Sequence, residues 1–307
     1  MNFLITSVGT ATSVGIIKNI RKYAPEARII GTDINPEGYT AGSLLVDAFY
    51  RVPLGKEPAY EASIRGIITG ETIDVFWPVN DTEIRKVSEW DLEESCRCIV
   101  AAPELIDILQ DKKTASEQVA AMGLTVPEEA GPGCAEPVIL RERVGVGSTG
   151  IRFLPDLLSE PVPDGVFAQR RIGGTEYTVD TLCNCKGEPL YIIPRSRLEI
   201  KAGIATKTRI EDRELLIRSV QTLLKQWKLP GFSNTQWIVD EKGTAYFIET
   251  NPRIGGFTSA SMLAAPGMFP AYLELLSGNE PVRELNRDVH WNMIVTRYYE
   301  EICFEET

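Results

Sequence analysis

The segment Phe247-Ile248-Glu249-Thr250-Asn251-Pro252-Arg253 places a carboxylate, an amide and a guanidinium within five residues at the end of an apolar strand. The strand itself is predicted from residues 244–248, which are rich in aromatic and β-branched side chains. A polar turn at residues 240–243 precedes it and predicts a hairpin with residues 235–239. The three functional groups are therefore expected where the second strand of a β-hairpin ends.

In such a strand Glu249 and Asn251 project to one face, and Gln236 on the partner strand can lie beside them. Oxygen ligands at alternate positions suit Mg²⁺. This ion retains several water ligands and is otherwise coordinated by one or two protein carboxylates and by nucleotide phosphates. Pro252 turns the chain, so that Arg253 can bind a phosphoryl oxygen or a substrate carboxylate in bidentate fashion. An ordinary hairpin that ends in a solvated charge is the alternative when this motif is considered alone.

The composition is that of a globular protein, with 307 residues of which 43% are hydrophobic and 24% are charged. A chain of this length divides into two or three subdomains. No apolar run approaches the roughly 18 residues that a membrane span needs, and residues 1–6 enter a strand rather than a signal sequence. We therefore expect a cytoplasmic protein with no membrane partner.

The charge balance excludes a second class of partner. There are 32 basic and 43 acidic residues, giving a net charge of −11, and no basic block is present. Nucleic acid is therefore not expected as a partner. The single histidine, His290, argues against a metal site built from histidines.

Short apolar strands alternate with helical segments up to about residue 105, which predicts a parallel sheet flanked by helices. The predicted strands are residues 3–7, 27–32, 75–79 and 98–102, and the predicted helices are residues 13–23, 57–69 and 81–92.

A glycine turn, Gly9-Thr10-Ala11-Thr12-Ser13-Val14-Gly15, follows the first strand, and Asp33 ends the second. Together they are similar to a dinucleotide-binding fingerprint with its ribose-binding acid. Ala11 replaces the middle glycine, however, so a tight turn that serves the fold or a substrate is the other interpretation.

A helix that ends near Gly123 and a linker rich in proline and glycine precede a new block of strands. A strand at residues 137–141 enters the glycine-serine loop at residues 144–150, and residues 151–153 return. Backbone N–H groups in such a loop can close over phosphate oxygens, although glycine loops also occur as plain turns.

Two further strand pairs carry candidate ligand groups. Residues 166–180 form two strands around Gly173 and Gly174, where an adenine could hydrogen-bond to the main chain and a later carboxylate could take the ribose hydroxyls. Farther on, Arg195, Arg197 and Lys201 stand at even spacing and share one face of a strand. These cations form either a solvated edge strand or a positive strip that binds a substrate.

Taken in order, these motifs resemble those of the ATP-grasp superfamily, and within it one synthetase half of the carbamoyl-phosphate synthase large chain, over essentially residues 1–280. The resemblance implies a mixed α/β and α+β fold. A Rossmann-like pre-ATP-grasp domain would span residues 1–108, and an ATP-grasp domain of two α+β subdomains, about 111–170 and about 171–280, would span residues 109–280. Residues 281–307 would form a C-terminal extension.

The dipeptide Asp111-Lys112 resembles the one that opens the grasp portion of the family, and the resemblance also implies a set of site residues. In the order of their expected roles, these are Arg141 on the nucleotide phosphates, Gly147 and Ser148 in the flexible loop over them, Gln169, Arg171 and Ile172 at the adenine hinge, Glu176 on the ribose, Gln236, Glu249 and Asn251 on the metal, and Arg253 beside it. Two positions depart from the synthase halves, because Ala205 replaces a histidine and Gly256 replaces a second arginine. The chain also has one grasp module and no glutaminase domain, which argues against carbamoyl phosphate synthesis.

The implied function is that of an ATP-dependent ligase, which phosphorylates a carboxylate to an acyl phosphate for attack by an amine. Its cofactors would be ATP and Mg²⁺, with Mn²⁺ as an alternative ion, and Arg141 and Arg253 would neutralise the transferring phosphoryl group. Arg195, Arg197 and Lys201, opposite residues 255–259, are the predicted acceptor site, and the enzyme could act as a homodimer. Two alternatives are a non-catalytic ATP-binding regulatory module and an NAD(P)-binding oxidoreductase.

Overall fold

The computed structural model describes residues 1–92, 94–145, 150–158, 161–201 and 203–305. Its strands are β1 (Asn2–Ile5), β2 (Arg28–Asp33), β3 (Ala48–Arg51), β4 (Val75–Trp77), β5 (Val138–Glu142), β6 (Arg152–Leu154), β7 (Val166–Arg170), β8 (Thr175–Cys183), β9 (Pro189–Lys201), β10 (Ile204–Ile210), β11 (Gly231–Val239), β12 (Ala245–Asn251) and β13 (Ile294–Thr296). Its α-helices are α1 (Ala11–Tyr23), α2 (Ala59–Gly70), α3 (Asp81–Val87), α4 (Pro103–Gln110), α5 (Lys112–Ala121), α6 (Glu214–Trp227), α7 (Thr258–Ala264) and α8 (Met268–Leu276), with a 3-10 turn at Ala41–Leu44.

These strands form three sheets. A parallel sheet has the order β3-β2-β1-β4, a small antiparallel sheet has the order β6-β5-β7, and a large antiparallel sheet has the order β12-β11-β8-β9-β10-β13. The mixed fold predicted from the sequence is therefore confirmed. No helix among the described residues is long and apolar enough to cross a membrane.

The parallel sheet confirms three of the four strands predicted before residue 105. The strand predicted at residues 98–102 is wrong, because the chain touches the sheet only through the bridge between Val75 and Arg97 and then turns into α4, which begins at Pro103. The edge strand β3 was not predicted, since its four residues are at most half-buried and form no apolar run. The loop after β1 is a tight turn, in which Asp33 accepts hydrogen bonds from the Gly9 and Asn35 backbone N–H groups.

The parallel sheet and the large sheet share one apolar core. Trp77 at the end of β4 lies with its ring centroid 4.7 Å from that of Tyr272 on α8, and Tyr272 is equally close to Phe232 on β11. Burial of aromatic side chains of this size dominates the packing energy of such a contact. The packing fixes the carboxyl end of β4, and with it Asp81 at the start of α3, against the large sheet.

The hairpin predicted at residues 235–248 is confirmed as β11 and β12. Gly243 has a φ of +84° and closes the turn, where its N–H donates to the Asp240 carbonyl. The register pairs Gln236 with Glu249 and Asn234 with Asn251, and a bulge follows Gln236. Because paired residues point to the same face, the polar ends of both strands meet on one side.

Residues after 280 contribute to the large sheet. Strand β13 pairs antiparallel with β10 and forms the edge opposite the hairpin. Strand β9 extends beyond its pairing with β8. The last paired residues are Tyr177 and Ser196, and β9 continues to Lys201. Among the described strands, the last residues of β9 therefore pair with β10 alone.

Glu83 on α3 is 3% exposed and provides a pH-dependent element of the fold. Its Oε1 accepts hydrogen bonds from Thr6 Oγ1 and from the Val79 and Asn80 N–H groups, and its Oε2 accepts one from the Tyr60 hydroxyl. Burial nevertheless raises the pKa of Glu83, more than these hydrogen bonds lower it.

A carboxyl whose pKa is higher in the folded than in the unfolded protein binds more protons when folded, so stability falls as the pH rises through that interval. We expect Glu83→Gln, which keeps the oxygen acceptor, to flatten this part of the profile. Urea unfolding between pH 5 and pH 8 measures it. The exposed Glu94→Gln is the matched control, and an unchanged slope in Glu83→Gln would contradict the assignment.

Candidate active site

A cavity of about 330 Å³ separates the small sheet from the large one. It brings together residues predicted for the nucleotide, the metal and the acceptor, from strands β5, β7, β8, β9, β11 and β12 and from the segment between β7 and β8. These residues are Arg141, Gln169, Arg171, Ile172, Glu176, Arg197, Gln236 and Glu249. Gly147 and Ser148 lie outside the described residues. A cavity of this size, lined by both apolar and charged side chains, is large enough for a small molecule.

Glu249 connects the two sheets at the bottom of the cavity. Its Oε2 accepts a hydrogen bond from Arg141 Nη2 at 3.0 Å, and its Oε1 accepts one from Gln236 Nε2 at 2.8 Å. Arg141 also donates to the Ile248 carbonyl at 3.2 Å. Burial lowers the pKa of Arg141, and the charge of Glu249 opposes that shift. The carboxylate is thus held by a buried cation on one side and an amide on the other.

The predicted metal ligands provide an oxygen set that fits Mg²⁺. Asn251 donates its side-chain N–H to Asn234 Oδ1 at 3.2 Å, and no described residue donates to its own Oδ1. Asn251 lines a neighbouring cavity that Glu249 and Asp81 also border. The described residues contain no group of three or more His, Cys, Asp or Glu side chains that could hold a metal. One carboxylate with amide oxygens suits an ion that takes its remaining ligands from water and phosphate. The Gln236 oxygen accepts a hydrogen bond from Arg197 Nη1 and its Nε2 donates to Glu249, so a metal there would require this amide to turn over.

The other end of the cavity is an apolar slot beside the strand end at Arg170. Ile139, Phe153, Trp237 and Ile248 contribute to its walls, and the guanidinium of Arg171 lies 5.1 Å from the Phe153 ring centroid. The lining also includes Arg171, Ile172 and Gly173, the segment beside which an adenine was predicted to bind.

Two predicted ligands at this end already have protein partners. Gln169 Nε2 donates to the Pro127 carbonyl at 3.3 Å, so its amide is turned toward the linker. Glu176 is half-exposed at the mouth and accepts a hydrogen bond from Arg197 Nη1 at 3.1 Å. Its carboxylate thus stays near solvent, where ligand hydroxyls can reach it.

Lys112 was not among the predicted site residues, although the structure places it in both cavities. Its Nζ donates to the Gly145 carbonyl at 2.7 Å, next to the glycine-serine loop. Burial lowers the pKa of Lys112, and Glu249 acts in the opposite direction. The signal available in the sequence was the dipeptide Asp111-Lys112: Asp111 caps α5, and the cap turns Lys112 toward the cavity.

The structure places Arg253 differently from the prediction. Its guanidinium forms a two-point ion pair with Asp81, with Nε to Oδ1 at 2.6 Å and Nη2 to Oδ2 at 2.5 Å. Arg253 is absent from the lining of the 330 Å³ cavity. The contact joins residues 172 positions apart, and it depends on how the parallel sheet packs against the hairpin.

Arg195 and Arg197 occupy buried positions on the inner face of β9, as their spacing predicted. Arg195 Nε donates to Asp180 Oδ2 at 2.7 Å, and Arg197 Nη1 donates to Gln236 Oε1 at 3.2 Å. The structure does not place the Lys201 side chain with them, so its predicted acceptor role stays a prediction. Its side chain is 61% exposed and pairs with Glu199, because the end of β9 extends beyond β8 into solvent.

Solved structures show which class of fold this is. The chain resembles a biotin carboxylase from Campylobacter jejuni in complex with an ATP analogue, with a TM-score of 0.72, 14% identity, and coverage of 95% of this chain and 74% of that one. It also resembles N5-carboxyaminoimidazole synthetase from Staphylococcus aureus complexed with ADP, with a TM-score of 0.71, 14% identity, and coverage of 92% and 79%. At 14% identity, these likenesses show that the chain shares the fold of these two proteins.

A model of one protein family matches part of the chain. Residues 164–297 match the family described as "ATP-grasp in the biosynthetic pathway with Ter operon". A comparison with curated protein sequences gives no significant match. The closer resemblance to a carbamoyl-phosphate synthase half stays a prediction.

Proposed function

We propose that this protein is an ATP-dependent ligase that activates a carboxylate by phosphorylation and transfers the acyl group to an amine or a similar nucleophile. The observation that carries the proposal is the arrangement around Glu249, where a carboxylate, a buried arginine and an amide meet at the bottom of the cavity. Solved structures of similar fold support it, since one is described as a complex with ADP and another, from Hydrogenobacter thermophilus, as a complex with MgADP and bicarbonate.

The nucleotide would lie with its base in the apolar slot and its phosphates toward Arg141 and Lys112. Gln236, Glu249 and Asn251 would hold Mg²⁺, which when bound supplies positive charge to the phosphate oxygens. Phosphoryl transfer asks the protein mainly for positioning and for cations aimed at the transferring group. Arg141 is fixed by Glu249 and by the Ile248 carbonyl, so it needs little reorganisation when that charge develops.

The reaction balances without an enzyme nucleophile. A carboxylate oxygen of the substrate forms a bond to the γ-phosphorus, and the bond from that phosphorus to ADP breaks. The nucleophile then attacks the acyl carbon, inorganic phosphate leaves with the bonding electrons, and the attacking nitrogen loses a proton. The described residues that line the cavity include no histidine or cysteine, and the proposed reaction needs no covalent enzyme intermediate.

Release of ADP over a panel of carboxylates and amines, with Mg²⁺ present, tests this function. We expect release that needs both a carboxylate acceptor and the divalent ion, and that stops when EDTA is added. Mn²⁺ should restore part of the activity, because its preference for oxygen ligands is similar. Mg-ATP binding with no ADP release across the whole panel would favour a non-catalytic regulatory module instead.

An NAD(P)-dependent oxidoreductase is the less favoured alternative. The turn after β1 is closed around Asp33, whose Oδ2 already accepts the Gly9 N–H at 2.8 Å and whose Oδ1 accepts the Asn35 N–H at 3.0 Å. A side chain at Gly9 would meet Thr40 and Asp33 at 3.0 Å or less. The glycine therefore has a role within the turn itself.

A further inference from the structure

Two arginines from distant parts of the chain lie against the ring of Phe257. The Arg195 Cζ atom is 5.8 Å from the ring centroid, and the Arg297 Cζ atom is 4.5 Å from it. Arg297 directly follows β13, and its backbone N–H donates to the Thr206 carbonyl on β10 at 2.8 Å. Sheet pairing therefore fixes the position of an arginine that lies within the predicted C-terminal extension.

The positive charge of this pair is only partly neutralised. Arg195 is 3% exposed and donates through Nε to Asp180, but its Nη1 is buried and has no hydrogen-bond partner. Arg297 Nη2 donates to the Gly256 carbonyl at 2.6 Å, and no carboxylate among the described residues pairs with it. Burial and the neighbouring Arg195 both lower the pKa of Arg297. A buried N–H without an acceptor is costly, and an anionic ligand would remove that cost.

The pair is continuous with the proposed catalytic site. Arg197 lies two residues from Arg195 on the same face of β9 and donates to Gln236 Oε1. Gln236 Nε2 in turn donates to Glu249 Oε1 at 2.8 Å, which connects Arg197 to the candidate metal ligands. Arg197, Arg195 and Arg297 thus form a line of cations that leads from the candidate metal ligands to the C-terminal strand.

We infer that Arg195 and Arg297 bind a second carboxylate of the acceptor substrate, one that is not phosphorylated, so that the acceptor is a dicarboxylate. The inference rests on the proposed function, which requires one carboxylate beside the nucleotide phosphates. A guanidinium binds a carboxylate through two parallel N–H groups, and Phe257 keeps the two guanidinium groups in position. A monocarboxylate would leave the Arg195 Nη1 without an acceptor.

Calorimetry on the full-length protein, with and without saturating Mg-ADP, tests the inference. The probes are two matched pairs, glutarate with valerate and succinate with butyrate. We expect at least one dicarboxylate to bind about 10-fold more tightly than its monocarboxylate partner, a difference of about 1.4 kcal/mol. Arg297→Gln should remove that preference. Arg209→Gln, at an exposed position on β10, should keep it.

Equal binding within both pairs, or binding of neither member, would overturn the inference, and so would a preference that survives in Arg297→Gln. The comparison within the wild-type protein needs no variant, so it decides the matter even if Arg297→Gln does not fold. A dicarboxylate preference without ADP release would count against the proposed function alone. ADP release with monocarboxylates and no preference would count against the second carboxylate alone.

Discussion

Replacing Glu249 by glutamine should reduce ADP release by about 100-fold or more, the loss usual when one preorganised charge of a phosphoryl-transfer or acyl-transfer site is removed. Glutamine keeps an oxygen for the hydrogen bond from Arg141 and keeps the shape of the side chain, so the cavity should survive. It removes the one carboxylate among the three proposed Mg²⁺ ligands, and Mg²⁺ binds neutral amides less well than carboxylates. The expected defect is therefore in metal-dependent turnover.

The measurement is the rate of ADP release at saturating acceptor, together with nucleotide affinity at several Mg²⁺ concentrations. Glu241→Gln is the matched control, because Glu241 is exposed in the turn of the same hairpin and should tolerate the change. Circular dichroism and thermal unfolding verify the fold of both variants. A Glu249→Gln protein that stays active with Mg²⁺ would remove Glu249 from the site.

Asp180→Asn should lower the free energy of unfolding by about 3–5 kcal/mol, the usual cost of breaking one partner of a buried ion pair. Asp180 is 0% exposed, and it accepts hydrogen bonds from Arg195 Nε, Thr258 Oγ1 and Ser261 Oγ. Loss of its charge leaves the guanidinium of Arg195 uncompensated in the core. The amide nitrogen of asparagine would also face at least one donor.

Urea unfolding followed by fluorescence measures this effect, and Glu199→Gln is the matched control on the same sheet. Glu199 is 40% exposed and pairs with Lys201 and Lys207 at the surface, so its replacement should change stability by less than about 1 kcal/mol. A loss in Asp180→Asn no larger than the control would show that Arg195 is solvated or rearranges. Acceptor affinity should fall with stability, since Arg195 is common to both roles.

Local patterns predicted much of the structure. The hairpin at β11 and β12 followed from strand alternation and a polar glycine turn, and its register placed Gln236 opposite Glu249 without further information. The end of α5 at Ala121, two residues before Gly123, likewise followed from the position of that glycine, which has a φ of +81°. In these cases neighbouring residues alone specify the geometry.

The contacts that were missed are between distant residues. In the sequence, Asp81 looks like an ordinary acidic residue in the first turn of α3. Only the packing of Trp77 against Tyr272 of α8 brings it to Arg253. In the sequence, Asp180 is one more polar residue of a strand. In the structure it accepts hydrogen bonds from Thr258 and Ser261 of α7. The exposure of Lys201 was not predicted, because even spacing along β9 does not indicate where the neighbouring strand ends.

The aromatic contact of Trp77 with Tyr272 has a practical consequence for dissecting the molecule. A truncated protein that began at residue 109 would expose Phe232, Phe269 and Tyr272, which are now at most 5% exposed beneath the first sheet. It would also lose the carboxylate that restrains Arg253. We therefore expect that the part of the chain after residue 108 does not fold as an autonomous unit. The first hundred residues support it structurally, although none of them is among the described residues that line the 330 Å³ cavity.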